Sequence, residues 1–223
     1  MRNEITMKTK TKKNIFNQKN EEVFVPVWTP DDFLINDHST PFAAIAAYKF
    51  NGDLKNGTYI EIGAGHYKHQ NNTYLLETEH AWKGVSIDIS DILTNDFNSN
   101  RINPCIMSDA ITFDWSKYLI ENNFPAVIDF LSIDIDFETH ESANLLALIN
   151  LPLTQYKFNI ISIEHMASMF YKFKKLRDIQ RDILTMLGYH LLIPGKNEDL
   201  WTIQEPNSAN GFDHISGMFG IGV

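Results

Sequence analysis

Thr58-Tyr-Ile-Glu-Ile-Gly-Ala-Gly65, followed by Gly84-Val-Ser-Ile-Asp88, is the part of the chain from which the rest can be laid out. The first stretch reads as an apolar strand running into a glycine turn. The second reads as another apolar strand that ends in an acid. Asp88 lies 23 residues past Gly65, the spacing of a nucleotide-binding βαβ unit whose acid takes ribose hydroxyls. A dinucleotide fingerprint needs a third glycine, and Lys68 stands in its place. The turn also runs on through His66-Tyr-Lys-His-Gln-Asn-Asn72 before a helix can start. A pyrophosphate wants a helix N-terminus close beneath it. A long loop without the third glycine suits a ligand that has a nucleoside and no phosphate, and S-adenosylmethionine (SAM) is the common one.

From this unit the pattern alternates to the end of the chain. A helix near 72–81 precedes the strand at 84–88. A helix near 90–98 precedes a short strand at 105–107, and Asp114 caps a helix over 115–122. Val127-Ile-Asp-Phe-Leu-Ser-Ile133 is a buried strand, with a helix near 139–149 after it. Residues 158–163 form the fifth strand. An amphipathic helix over 168–187 follows, stopped by Gly188. Two strands, 189–193 and 199–204, are joined at Pro194-Gly195. Upstream, Thr40 caps a helix that Pro41 opens, with Phe42, Ile45, Ala46 and Phe50 on its apolar stripe. Val23-Phe-Val-Pro-Val-Trp28 carries Pro26 and reads as an edge segment or docked arm. The fold class is therefore α/β: a Rossmann-like, mostly parallel sheet with helices on both faces and one reversed strand. The expected division is an arm over 1–22 and one domain over 23–223.

With 223 residues, 43% of them hydrophobic, the chain can bury a full single-domain core. The lone cysteine, Cys105, excludes an internal disulfide and reads as a small buried hydrophobe. The opening residues are polar and lysine-dotted, with no apolar region of a secretory signal. No run approaches the ~18 apolar residues of a membrane span. The expected compartment is the cytoplasm. Arg2, Lys8, Lys10, Lys12, Lys13 and Lys19 face only Glu4 among the first twenty residues, so the net charge of −9 is set by the body. An acidic body binds polyphosphate and nucleic acid poorly. The basic arm reads as a solvated, disordered tail. Nothing in the sequence speaks to oligomeric state.

Ligands of open α/β sheets sit at the carboxyl ends of the strands. The first strand delivers Glu61, Gly63, Ala64 and Gly65 there, and the second Asp88 and Ile89. The third delivers Asp109 and Ala110, the fourth Asp134, Asp136, Glu138, His140 and Glu141, and the fifth Glu164 and His165. Five neighbouring strand ends finishing in acids point to a site. Asp88 suits the ribose hydroxyls of SAM and Asp109 its adenine amine. Glu61 suits its cationic amino group, directly or through water. Gly63 and Gly65 let the backbone come close to the ligand. Methyl transfer is an in-line displacement, so the remaining work is positioning and proton removal. Asp134, Asp136, Glu164 and His165 can hold a Mg²⁺-like ion that orients and acidifies a hydroxyl. Without metal, His165 or Asp136 can serve as general base. His66 is placed toward the substrate side, and Tyr171 is a candidate pocket wall.

Six segments together resemble a known group. They are Glu61-Ile-Gly-Ala-Gly65, Asn72-Thr-Tyr-Leu-Leu-Glu77, Trp82-Lys-Gly-Val-Ser-Ile-Asp88, Phe130-Leu-Ser-Ile-Asp-Ile-Asp136, Ile161-Ser-Ile-Glu-His165 and Glu198-Asp-Leu-Trp201. In order and spacing they are similar to the FkbM-like branch of class I SAM-dependent methyltransferases, over about residues 57–204. The resemblance implies a seven-stranded Rossmann-like sheet with its last strand antiparallel. It also implies O-methylation of a hydroxyl on a small acceptor, a carbohydrate or glycosylated metabolite. The Asp-x-Asp after the fourth strand looks like that of Mg²⁺-dependent sugar O-methyltransferases, which complete the metal site with an acidic pair after the fifth. Here that pair is Glu164-His165, so the expected ligands of Mg²⁺ or Mn²⁺ are Asp134, Glu164 and His165. Two other readings stay open: a NAD-type oxidoreductase, disfavoured by the missing glycine, and a methyltransferase-like scaffold without activity.

Overall fold

The computed structural model describes residues 12–16, 22–26, 41–136 and 140–215. Strands β1 (Lys12–Phe16) and β2 (Glu22–Pro26) pair antiparallel in a two-stranded sheet of their own. The sequence places Lys12–Phe16 and Glu22 in the arm over 1–22, of which residues 1–11 and 17–21 lie outside the described residues. Helix α1 (Phe42–Phe50) follows, with Pro41 at its N-cap. Thr40, expected to cap it, is also outside the described residues.

The body is a seven-stranded sheet. Its strands are β3 (Thr58–Ile62), β4 (Lys83–Asp88), β5 (Cys105–Met107), β6 (Val127–Ile133), β7 (Lys157–Glu164), β8 (His190–Ile193) and β9 (Glu198–Thr202). They lie in the order β5-β4-β3-β6-β7-β9-β8. All pairs are parallel except those of β9, which runs antiparallel to both β7 and β8. The reversed strand expected from the 194–195 turn is thus β9. The chain order reverses between β3 and β6, so the carboxyl ends of β3, β4 and β6 frame the crevice where open sheets bind ligands.

The helices between strands are α2 (Tyr74–His80), α3 (Asp91–Asn100), α4 (Trp115–Glu121), α5 (Ala143–Asn150) and α6 (Tyr171–Met186). Strand alternation sorts the core. Ile60, Ile62, Ile87, Leu131, Ile133, Ile161 and Ile163 pack with Trp115, Leu148 and Leu184 from α4, α5 and α6. Tyr59, Phe130, Ile160 and Leu200 point the other way and pack with α1, Leu76 and Trp82. Phe212 and Ile215, in a tail that the sequence left unassigned, close that second layer. Cys105 is buried against Ala64 and Phe97, and burial pushes its thiol up to about 12, so the expected inert role is met. Helix α6 begins three residues later than its apolar pattern suggested. Met166 turns the chain through φ +51° first, and Phe170 becomes the N-cap. Among the described residues, no helix is long and apolar enough to cross a membrane.

Candidate functional site

The turn after β3 is built by two glycines with different tasks. Gly63 sits at φ +82°, and a Cβ there would lie 2.1 Å from the Asp134 carbonyl oxygen. Its missing side chain therefore lets the tips of β3 and β6 meet, rather than admitting a ligand as expected. The Asp134 N–H donates to the Ile62 carbonyl at 2.8 Å across the same junction. Gly65 sits at φ +56°, and a Cβ there would meet nothing within 4 Å. Gly65 faces open space beside a carboxylate: its N–H donates to Asp88 Oδ2 at 2.8 Å.

Asp88 ties the turn after β3 to the turn after β4. Its Oδ1 accepts from the Ser90 N–H at 2.8 Å, while Gly63 and Ala64 N–H groups donate to the Ile87 carbonyl. A carboxylate has about four lone-pair positions, so one bond to each oxygen leaves capacity for a ribose diol. Ile89, next in the chain, is 63% exposed. Met107, paired with Asp88 across β4 and β5, is 56% exposed. These two give the acid an apolar flank suited to a flat base. Asp109 Oδ1 accepts from the Ile111 N–H at 2.9 Å, which orders the turn after β5. The side chains of Ala64 and Ala110 are buried in the core, so they bring backbone to the site and not side chains. The open turn, the acid with spare capacity and the apolar flank fit SAM.

Glu61 is 1% exposed and faces inward. Its Oε2 accepts from Ser86 Oγ at 2.6 Å and Thr73 Oγ1 at 2.9 Å. Burial raises its pKa, opposed by those hydrogen bonds and by Arg101. Arg101 is buried too. It pairs with Glu77 at 2.7 Å and donates to Asn71 Oδ1 and the Tyr67 carbonyl. Glu61 thus belongs to a buried network under the glycine loop. The direct contact with a ligand amino group expected for it is not formed by this geometry. Its link to the loop runs through Thr73 and Asn71, whose Nδ2 donates to the Ala64 carbonyl at 3.0 Å.

Across the crevice, acids at the ends of β6, β7 and β9 share one face. Register puts Glu61 beside Ser132, Ser132 beside Ser162, and Glu164 beside Glu198. Asp134 Oδ2 accepts from Asn72 Nδ2 at 3.1 Å, and Asp134 also hydrogen-bonds Glu164. Two carboxyl groups bond in this way only if they share a proton. Burial, then the charges of Asp134, Glu198 and Asp136, push Glu164 up to about 8. Burial raises Asp134 as well, against its bonds to Asn72 and Glu164. Glu198 is pushed up to about 7 by burial, opposed by a hydrogen bond from the Ser162 hydroxyl. Asp136 is exposed at the rim and adds negative charge.

His165 does not join this group. It is 5% exposed, its Nδ1 accepts from the Ala167 N–H at 3.1 Å, and its Nε2 lies 3.4 Å from Asp199 Oδ1. Asp199 is held in turn by two bonds from Arg181, at 2.7 and 2.9 Å. The physical reason is strand period: consecutive residues project to opposite faces. Glu164 and Glu198 turn toward Asp134, while Asp199, paired with Ile163, turns to the other face and takes His165 with it. The expected roles of His165 as general base and as metal ligand are therefore corrected to an anchoring one. The expected metal set of Asp134, Glu164 and His165 does not converge. Among the described residues, no group of three or more His, Cys, Asp or Glu side chains is arranged to hold a metal ion. No step is derived through Mg²⁺ or Mn²⁺. Of the other expected acids, Glu141 pairs with Lys172 on the surface and Glu138 lies outside the described residues. His66 Nδ1 accepts from the N–H groups of Lys68 and His69, shaping its own loop.

Asn72, Glu198 and Met107 are site residues that the reading of strand ends missed. Asn72 and Glu198 stood inside segments noted for their resemblance, while Met107 carried no signal beyond its place on a strand.

No family model and no curated protein sequence matches the chain. Solved structures do. The METTL16 methyltransferase domain (crystal form 2) superposes with TM-score 0.52 at 12% identity, covering 86% of this chain and 87% of that one. Its delta-N form gives 0.50 at 15%, covering 81% and 89%. A putative caffeoyl-CoA O-methyltransferase from Staphylococcus aureus gives 0.50 at 12%, covering 77% and 86%. At these identities the likeness shows the fold: the chain has the Rossmann-like fold of class I methyltransferases.

Proposed function

We propose that the chain is a SAM-dependent O-methyltransferase of the FkbM-like branch, acting on a hydroxyl of a small carbohydrate or glycosylated metabolite. The observation that carries this reading is the open Gly65 turn tied to Asp88 on one side of a crevice, with the Asp134 and Glu164 carboxyls side by side on the other. When bound, SAM supplies an electrophilic methyl group. Asp88 orients it by the ribose, and Ile89 and Met107 flank its base. Asn72 holds Asp134 toward Glu164.

The pair's task is the acceptor's proton. A group whose pKa lies near the working pH is both available as a base and strong enough to act. Glu164, at about 8, meets that condition, and Asp134 steadies the proton once taken. This replaces His165 and Asp136 as candidate bases. Against a pyrophosphate ligand stands helix α2, which starts at Tyr74, well beyond Gly65. The test is transfer of label from methyl-tritiated SAM to a panel of mono- and disaccharides. Label in a sugar O-methyl ether, lost in Glu164→Gln, supports the reading. No label in any acceptor, with reduction of NAD in its place, would end it.

A further inference from the structure

Past the end of β7 the chain exposes three large hydrophobic side chains in a row. Met169 is 58% exposed, Phe170 37% and Tyr171 85%. Tyr171, expected as a pocket wall, thus faces solvent. The segment that carries them is held in place. The His165 and Met166 N–H groups both donate to the Asn197 carbonyl, at 2.7 and 3.0 Å, and the Ser168 N–H donates to the Lys196 carbonyl at 3.1 Å. Phe170 stands edge-on to the buried Phe173 ring, 5.3 Å between centres. A contiguous exposed hydrophobic patch marks an interaction site more often than a bare surface. The charge beside it is the reverse of the chain's. Lys172, Lys174, Lys175 and Arg177 stand close together in a protein of net charge −9. Glu141 offsets Lys172, and Asp178 offsets Arg177. Lys174 and Lys175 are exposed and form no ion pair among the described residues. Lys174 Nζ lies 5.2 Å from the centre of the Tyr171 ring, so charge and hydrophobic surface make one patch. Lys196 adds an exposed cation at the turn that holds Ser168.

We infer that this patch seats the protein on an anionic lipid bilayer, with Met169, Phe170 and Tyr171 entering the headgroup layer and Lys174, Lys175 and Lys196 meeting lipid phosphates. Attachment to a membrane surface takes two signals together, hydrophobic side chains and basic ones, and the patch carries both. Nucleic acid fits it less well. A nucleic-acid strand needs a track of cations that neutralises several phosphates. Here acids interrupt the track at once: Asp178 and Asp182 follow on the same helix, and Glu141 stands at its side. Met169 also has no ring for a base to stack on. The patch follows Glu164 by five to seven residues, at the same end of the sheet as the crevice. A docked chain therefore presents that end to the headgroups. The inference does not depend on methyl transfer, since docking needs no cofactor.

The test is co-sedimentation of the full chain with vesicles. One set is phosphatidylcholine with about one-third phosphatidylglycerol and the other is phosphatidylcholine alone, both at about 0.1 M salt. Binding is expected to the first set and not to the second, and it should be lost at about 0.5 M salt, where surface charges are screened. Lys174→Gln together with Lys175→Gln should weaken binding about 25-fold, at roughly fivefold for each lysine. Met169→Ser together with Tyr171→Ser should weaken it at least about tenfold. All four residues are exposed, so both variants should melt as the wild type does. No binding of the wild type to the anionic vesicles would overturn the inference. Binding unchanged in either double variant would overturn it as well, because the basic arm over 1–22 would then carry the attachment. Binding of a single-stranded oligonucleotide through Lys174 and Lys175, with no binding to vesicles, would assign the patch to nucleic acid instead.

Discussion

Replacing Glu198 with Gln should stabilise the protein at alkaline pH and leave it unchanged in acid. Gln keeps the size of the side chain and an oxygen for the Ser162 hydroxyl, and removes only the charge. Burial pushes the Glu198 carboxyl from its ordinary 4.5 up to about 7. A folded-state pKa above the unfolded one means that the contribution is fully present below pH 4.5 and is lost as the pH rises through 7. Each pH unit between the two values corresponds to about 1.4 kcal/mol, so the ceiling is about 3 kcal/mol at pH 8. Glu198 keeps some contact with solvent, and screening brings the expected gain to about 1–2 kcal/mol. For a chain of this length that is roughly 2–8 °C in Tm. Calorimetric melts of both proteins at pH 4.5 and pH 8 measure it. A variant less stable than wild type at pH 8, or a gap that is the same at both pH values, would refute the buried-carboxylate argument.

The remaining predictions concern the same neighbourhood. With any accepted substrate, kcat/KM should rise tenfold per pH unit toward a plateau above about pH 8, because Glu164 must lose its proton to act; Glu164→Gln should flatten the profile. His165→Ala should lower stability by roughly 1–3 kcal/mol while S-adenosylhomocysteine affinity, read by titration calorimetry, is kept. Arg101→Ala should cost about 3–5 kcal/mol in urea melts, since Glu77 then stays buried without its partner.

The strands of the large sheet were readable because most are apolar stretches between turn residues, and β3, β5 and β6 fall on the expected residues, whereas β1, with Lys12, Lys13 and Asn14, carried no such signal. Gly188 ends α6 as read, one residue past its cap at Leu187, with φ +84°. The acids of the crevice were readable as a set, since strand ends of a parallel sheet converge. Their facing was not readable: β7 ends at Glu164, and His165 lies just past it, where its Nε2 turns to Asp199. Gly63 carried the right residue for a different reason, the approach of Asp134, which only the tertiary packing reveals. Arg101 gave no signal. It lies just past a helix end, and its partners Glu77, Asn71 and Thr73 are 24 to 30 residues away. Gln180 shares the buried stripe of α6 with Phe173 and Leu184, a place its spacing gives and its polarity hides.

What the Gly65–Asp88 crevice binds decides the function most directly. Titration calorimetry of the full chain with SAM, S-adenosylhomocysteine and NAD, in parallel with Asp88→Ala, measures this. The two sulfur ligands should bind with micromolar affinity, about −8 kcal/mol. Asp88→Ala should weaken them by about 1.5–3 kcal/mol, the scale of charge-assisted hydrogen bonds. NAD should give no heat. Binding of NAD with none of SAM, or SAM affinity untouched by the loss of Asp88, would contradict the account.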